Sequence, residues 1–341
     1  MNQLNIVAID LAKHVFQVCT VSPHNKVLGN KQLSRSKLAA SLANISPAIV
    51  AMEACYSSHY WARTFQAMGH EVKLIPAQHV KPFVRGNKND RNDALAIAEA
   101  FKRPDLRFVP IKTVEQQDIQ SLHRIRDRLS QQRVALMNQT RGLLSEYGLI
   151  AAPGFKAFRE LVTSAIDPAN QGLSPVIKQE MNQVLEDFHH YTAQIKKTNR
   201  QLIQLANQHE LCRILLSLPG IGVINATGLY SAIGDGSQFA HPRDLAVWLG
   251  LTPRQFSSGG KSFNGAITKR GNRYLRKQLI HGARAVVHRC ARKDDKLSLW
   301  VNQLVARRGA NKAAVALASR LARLAWILLQ RRQCYEPQFS G

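Results

Sequence analysis

Along the first hundred positions, apolar residues come in short runs bounded by turn-forming residues. LNIVAI (4–9) and VFQVCTV (15–21) are β-branched and apolar, and both are predicted strands. KVLGNKQLS (26–34), after a tight Ser-Pro-His-Asn turn, is expected to be a third. A helix is expected over 35–44, capped by Ser34 or Ser36. The short apolar run IVAMEA (49–54) has the texture of a strand buried on both faces. Residues 57–69 read as a helix stopped by Gly69, 71–77 as a strand, and alanine-rich 91–103 as a helix ending before Pro104. The order β-β-β-α-β-α-β-α describes a mixed sheet with helices packed on it.

From about 113 the period changes. Ile119, Leu122, Ile125, Leu129, Leu136 and Leu143 recur at spacings of three, four and seven in a polar, proline-free stretch, which predicts a long amphipathic helix to about 147. Residues 151–175 hold Pro153, Gly154, Pro168, Gly172 and Pro175 and read as a loop-rich interruption. A second long polar helix is expected over 176–209. The two could pair as an antiparallel hairpin or with another subunit, and an arm supporting a homo-oligomer is the preferred reading. Residues 210–341 form a second globular region, mainly helical. The organisation read from the pattern is therefore an α/β region over 1–108, a coiled-coil-like long-helix region over 109–209 and an α region over 210–341.

Charge sharpens this picture. Of 341 residues, 47 are Lys or Arg and 22 are Asp or Glu, a net +25. Residues 210–341 hold 21 basic and 6 acidic residues, so +15 of that excess sits in under half the chain. Such a field favours a polyanion, and because the basic residues are spread over many elements, nucleic acid is a better fit than a membrane surface. The N-terminus starts directly with a strand-like run instead of a signal peptide, so a cytoplasmic, nucleoid-associated location is expected. The five scattered cysteines form no CxxC pair and suggest neither a disulfide framework nor a zinc site.

Acidic residues are scarce early on: Asp10, Glu53, Glu71, Asp90, Asp93 and Glu99 are the only six in the first hundred. Asp10 and Glu53 end apolar strands, where a charge is costly unless compensated. Asp90 and Asp93 begin a helix, three residues apart and on one face. Hard oxygen ligands so arranged can hold divalent cations for phosphodiester chemistry. The blander alternative makes Asp90 an N-cap, Asp93 a partner of the helix dipole and Glu53 the partner of a buried arginine.

Two segments of the basic half carry further signals. Pro219-Gly220-Ile221-Gly222 lies between helical patterns, where glycine backbone could approach a phosphate through Gly220 and Gly222, or simply form a helical corner. Ser257-Ser258-Gly259-Gly260-Lys261 reads as a flexible basic loop between helices. With Arg254, Lys269, Arg270, Arg273, Arg276 and Lys277 it forms a basic set suited to phosphates.

VAIDLAKHVFQV, the strand-end Glu53 and KNDRNDALAIAEA resemble the N-terminal domain of the DEDD-type insertion-sequence transposases, a family related to the pilin-inversion recombinase and described as RNA-guided bridge recombinases. The resemblance implies an RNase H-like domain similar to the Holliday-junction resolvase, with Asp10, Glu53, Asp90 and Asp93 as carboxylates binding magnesium (or manganese). Asn89 stands where threonine is usual. Residues 245–287 resemble the family's C-terminal domain, which carries a nucleophilic serine. Ser257 matches the first position of its S-(S/T)-G-G-K run, and Ser258 beside it stays open. The resemblance further implies donor and target DNA, a structured non-coding RNA partner, and a composite site with carboxylates from one subunit and serine from another. The rival readings are a resolvase-like nuclease working through the carboxylates alone, and a nucleic-acid-binding protein without catalysis.

Overall fold

A computed structural model describes residues 4–85 and 89–336, which fall into two compact units, 1–113 and 114–341. Lys88, at the head of the KNDRNDALAIAEA motif, lies outside the described residues.

In the first unit β1 (Ile6–Leu11), β2 (Val15–Val21) and β3 (Val27–Ser34) form an antiparallel meander. After α1 (Arg35–Ala43) the chain returns as β4 (Ile49–Glu53), parallel to β1. Then α2 (Ser58–Ala67) leads to β5 (Glu71–Ile75), parallel to β4, followed by α3 (Ala77–Val80) and α4 (Asp90–Phe101). The sheet order is β3-β2-β1-β4-β5. Elements lie within a few residues of where the hydrophobic pattern puts them.

Strand alternation explains the layering. In β1, Val7, Ile9 and Leu11 face α1 and α2, joining Leu38, Leu42, Trp61 and Phe65 in one core. Ile6 and Ala8 face the other way, onto Ala94, Ile97 and Ala98 of α4. The small side chains on that face let α4 lie close to the sheet. Trp61 stacks on Phe65 and meets Phe16 edge-on, at ring separations of 5.4 Å each, which closes the opposite face. Val109 donates a backbone hydrogen bond to Leu74, so the first unit runs past residue 108.

The second unit opens with α5 (Val114–Ser145) and continues with α6 (Phe155–Ile166), α7 (Pro175–Gln208), α8 (Glu210–Leu216), α9 (Val223–Ile233) and α10 (Pro242–Trp248). A two-stranded hairpin follows, β6 (Pro253–Ser258) and β7 (Lys261–Ile267), and then α11 (Arg273–Val287), α12 (Lys296–Arg308) and α13 (Ala310–Arg331). Helices α5 and α7 pair antiparallel within one chain: Arg126 Nε donates to Asn199 Oδ1 at 2.6 Å and Arg133 Nη1 to Thr192 Oγ1 at 3.2 Å, with residue numbers rising on one helix as they fall on the other. The long helices thus bury their stripes on each other and, through Ile119, Leu202 and Ala206, in the core shared with α8–α13.

The expected loop over 151–175 needs correction. Its prolines and glycines sit at the ends, and FKAFRELVTSAI between them is α6, burying Phe158, Leu161, Val162 and Ala165 at helical spacing against α7. By length and hydropathy α13 could cross a membrane, yet 56% of its apolar window is buried in this unit's core.

His123 pins α5 into that core. It is 4% exposed and lies 2.9 Å from both Thr227 Oγ1 and Tyr274 Oη. The Thr227 hydroxyl donates to the Val223 carbonyl at 2.6 Å, so it accepts from Nε2–H, and Nδ1 is left to accept from Tyr274. Burial, and secondarily the charge of Arg126, pushes the imidazole from 6.5 down to about 4. The ring is therefore neutral when folded and takes up a proton on unfolding below about pH 6.5. Its contribution is complete above that value and is lost as pH falls toward 4. Urea unfolding followed between about pH 7 and 4.5 should show a loss of roughly 2 kcal/mol from this residue, with a shallower pH slope in His123→Gln. Equal slopes would remove His123 as the cause.

Candidate active site and nucleic-acid interface

The β1–β4 ladder runs in register through Ile9 and Met52, so Asp10 and Glu53 follow side by side at the carboxyl ends of neighbouring parallel strands. Both are half-buried. By alternation they belong to the same face as Ala8 and Ala51, which is the face α4 covers. Their fields converge on Cys55, whose thiol is pushed up to about 11, first by burial and then by the charges of Glu53 and Asp10. Cys55, whose sequence context suggests neither a disulfide nor a zinc ligand, is thus a neighbour of the pair.

Asp90 and Asp93 sit in the first turn of α4 on that same side of the sheet. The cap itself is Asn89, whose side-chain oxygen accepts from the Asn92 amide at 2.8 Å. Asp90 is therefore the first helical residue and not the cap. The departure from threonine at position 89 keeps a side chain that caps helices well.

Three polar residues missed in the sequence reading hold this turn down. Gln17, only 6% exposed, donates to Asn30 Oδ1 at 2.6 Å; Asn30 Nδ2 donates to the Arg91 carbonyl at 3.1 Å; and Gln32 Nε2 donates to Asp90 Oδ2 at 3.5 Å. Gln17 also pairs in register with Asp10 on one side and Gln32 on the other. A polar row thus crosses the sheet as Glu53, Asp10, Gln17 and Gln32. The available signal was Gln17 itself, a lone amide within an otherwise apolar strand.

Two of the four carboxylates are therefore adjacent, and the other two lie on one helix turn above the row. Asp90 bonds to a residue two strands from Asp10, about 10 Å across the sheet at the usual strand spacing. Among the described residues no three Asp, Glu, His or Cys side chains converge into a closed metal cage. An open set of carboxylates suits magnesium, which commonly takes one or two protein carboxylates and completes its shell with water and phosphate oxygens.

In the second unit, the expected flexible serine loop is a β-hairpin. Gly259 and Gly260 both have positive φ, +55° and +77°, the requirement of a two-residue turn that matches strand twist. Ser257 pairs with Ser262, and Ser258 with Lys261. Being consecutive in a strand, the two serines face opposite sides, and both are exposed. Ser257 shares its side with Gln255, Ser262 and Asn264, while Ser258 shares its side with Phe256, Phe263 and Lys261.

The basic set divides. Arg254, Lys261, Lys269, Arg270 and Arg273 are exposed on or beside the hairpin. Lys277 pairs with Asp127 at 2.6 Å. Arg276 does not join the surface: it is 8% exposed, and its Nη1 donates to the carbonyls of Leu249 at 2.9 Å and Arg270 at 2.7 Å. Its guanidinium clamps the two ends of the hairpin segment together, a role that spacing alone does not reveal. Gly250 and Gly271 permit the same crossing, since a Cβ on either would collide with the opposing backbone.

The glycine hairpin divides as well. Gly220 (φ +86°) packs against Gly282 of α11, and Asn225 Nδ2 donates to the Gly220 carbonyl at 3.2 Å, so this glycine serves helix-to-helix approach. Gly222 has open space around it at the start of α9 and is exposed. The turn and α11 border a cleft of about 690 Å³ that also includes His281, Arg289 and Lys293.

Comparison with known proteins gives a consistent result. Residues 7–149 match the profile of a DEDD family described as "Transposase", and residues 212–298 match one described as "Transposase IS116/IS110/IS902 family". The chain is 44% identical to the transposase for insertion sequence element IS1111A of Coxiella burnetii over 335 residues, covering 98% of this chain and 92% of that one. It is 38% identical to the transposase for insertion sequence element IS1328 of Yersinia enterocolitica, over 96% of this chain and 97% of that one.

The Asn89 cap gives a direct test. Asn89→Ala should raise exchange of the Asn92 amide by roughly fivefold, the equivalent of losing about 1 kcal/mol of capping, whereas Asn89→Thr should stay close to the wild type. Unchanged protection in the alanine variant would mean that the tethers from β3 alone hold the turn.

Proposed function

The chain belongs to the IS116/IS110/IS902 transposase family, and from that premise we propose that it moves an insertion sequence by cutting and rejoining DNA through a serine nucleophile assisted by Asp10, Glu53, Asp90 and Asp93. It is a transposase, an enzyme whose substrate is DNA. The observation that carries the carboxylate part of the reading is the β1–β4 ladder, which puts Asp10 and Glu53 one position beyond its Ile9–Met52 pair, on the face covered by a helix bearing two more carboxylates in its first turn. The sheet order, three antiparallel strands continued by two parallel ones, supports an RNase H-like description of the first unit.

In this reading Asp10 and Glu53, with Asp90 and Asp93 from α4, hold magnesium or manganese, which supplies positive charge for a phosphoryl oxygen when bound. Gln17, Asn30 and Gln32 keep α4 in place for that purpose. The serine attacks phosphorus: an Oγ–P bond forms, a P–O bond of the DNA backbone breaks, and the leaving oxygen takes a proton as the serine hydroxyl loses one. The covalent link conserves the phosphoester for rejoining, which hydrolysis would not. Ser257 is the assigned nucleophile by its place in the S-S-G-G-K run, with Ser258 its neighbour on the opposite side. Across the ladder Ser257 faces Ser262 and Ser258 faces Lys261, so the hairpin offers neither serine a carboxylate or imidazole, and the reading draws on carboxylates from another copy of the chain, as the family resemblance implies.

Arg254, Lys261, Lys269, Arg270 and Arg273 are assigned to phosphate contacts, with Gly222 offering backbone approach. A structured non-coding RNA that pairs with donor and target is part of the same proposal. The +25 charge is compatible with it, since a basic surface suits RNA as well as DNA.

The tests separate the parts. Asp10→Ala should abolish strand exchange on a plasmid carrying donor and target, with DNA binding retained. Ser257→Ala should abolish both exchange and the covalent protein–DNA adduct. Mapping a trapped adduct to Ser258 would reassign the nucleophile, and its absence together with metal-dependent cleavage would favour a resolvase-like nuclease.

A further inference from the structure

The hairpin carries a feature that phosphate binding and strand cleavage leave unused. Phe256 and Phe263 pair across its ladder with rings stacked, 4.9 Å between centroids and 15° between planes. Both face solvent, at 47% and 65% exposure. Gly265 leaves room for the Phe256 ring, since a Cβ there would come within 3.1 Å of Cε2. Two phenyl rings held parallel on an exposed hairpin present an unpartnered apolar plane amid positive charge. Residues 252–273 contain five basic residues and no acidic one.

We propose that the outer face of Phe263, backed by Phe256, is a stacking platform for an unpaired base of single-stranded DNA. The chemistry selects that occupant. A base offers a flat π-face of matching size, and the strand carrying it offers phosphates to Lys261, Arg254 and their basic neighbours. A base within a duplex already stacks on its neighbours and cannot lie on the ring unless it leaves the helix. A lipid surface would favour a broader apolar face than two rings, and an apolar protein partner would not account for the surrounding positive charge. The platform lies on the Ser258 side of the ladder, opposite Ser257. A strand rounding the hairpin tip would thus have a base anchored on one side and its backbone free to reach the other.

The test is equilibrium binding by the full-length chain to a fluorescent oligo-dT of about 12 nucleotides and to a duplex of the same length. Because binding does not require strand cleavage, failure of this inference and failure of the serine reading are distinguishable. Phe263→Ala should weaken single-strand binding by roughly tenfold or more. Duplex binding should stay within about twofold, and the salt dependence of single-strand binding should be unchanged, because no phosphate contact is removed. Phe263→Leu keeps apolar packing across the ladder but has no π-face, and it should lose as much as the alanine variant. Phe263→Trp should keep the affinity, with its emission quenched as oligo-dT is added.

Full affinity in Phe263→Leu would show that the ring only packs the hairpin, and the proposal would fail. Equal losses on duplex and single strand, or a tryptophan emission that ignores oligo-dT, would overturn it as well.

Discussion

The register between β1 and β4 is the constraint on which the rest of the first unit depends. Strand side chains alternate, so a slip of one residue would exchange the two faces of β1, turning Asp10 into the core of α1 and α2 and Ile9 toward α4. Because Val7 and Ile9 are buried on one side and Ala8 on the other, that slip would strand apolar and charged groups together. The register that buries the apolar residues therefore also sets Asp10 beside Glu53. Carboxylate placement is in this sense a by-product of core packing.

A comparable logic governs the second unit, where close backbone approach takes the part played by register. Gly220 against Gly282, and Gly250 and Gly271 against the backbone of the opposing segment, let elements meet at distances no Cβ permits. Arg276 then ties both ends of the hairpin segment to one buried guanidinium. A short hairpin of exposed residues is marginal by itself. Anchored at its base, it can present serines, basic side chains and a ring pair without a core of its own. The antiparallel α5–α7 pair brings its apolar stripe into the same core, so the long helices are as much a part of this unit as an extension from it.

Strands β1, β2, β4 and β5 were legible because short apolar runs between turn residues have few alternatives. Helix α6 was not, because the prolines and glycines flanking it are loop formers and leave only a twelve-residue interior for helical spacing to show. The serine segment was misread as a flexible loop for a related reason. Its strands are polar and exposed, so they lack the alternation that marks a half-buried strand, and only the Gly-Gly turn carried a signal.

The places of Asp10 and Glu53 at strand ends and of Asp90 and Asp93 at a helix start, and the basic character of the C-terminal half, were legible in the sequence alone, because charge scarcity and excess are countable and element ends follow from local pattern. Which carboxylates are neighbours was decided by strand pairing, which joins residues 43 positions apart through β1 and β4. The same is true of the tethers Gln17, Asn30 and Gln32, whose partners lie on other elements. Arginines at regular spacing along 270–276 look alike in sequence, yet burial separates Arg276, bonded to backbone carbonyls, from Arg270 and Arg273, which are exposed. A side chain's chemistry is local, whereas its exposure and partners are properties of elements that meet only once the chain is folded.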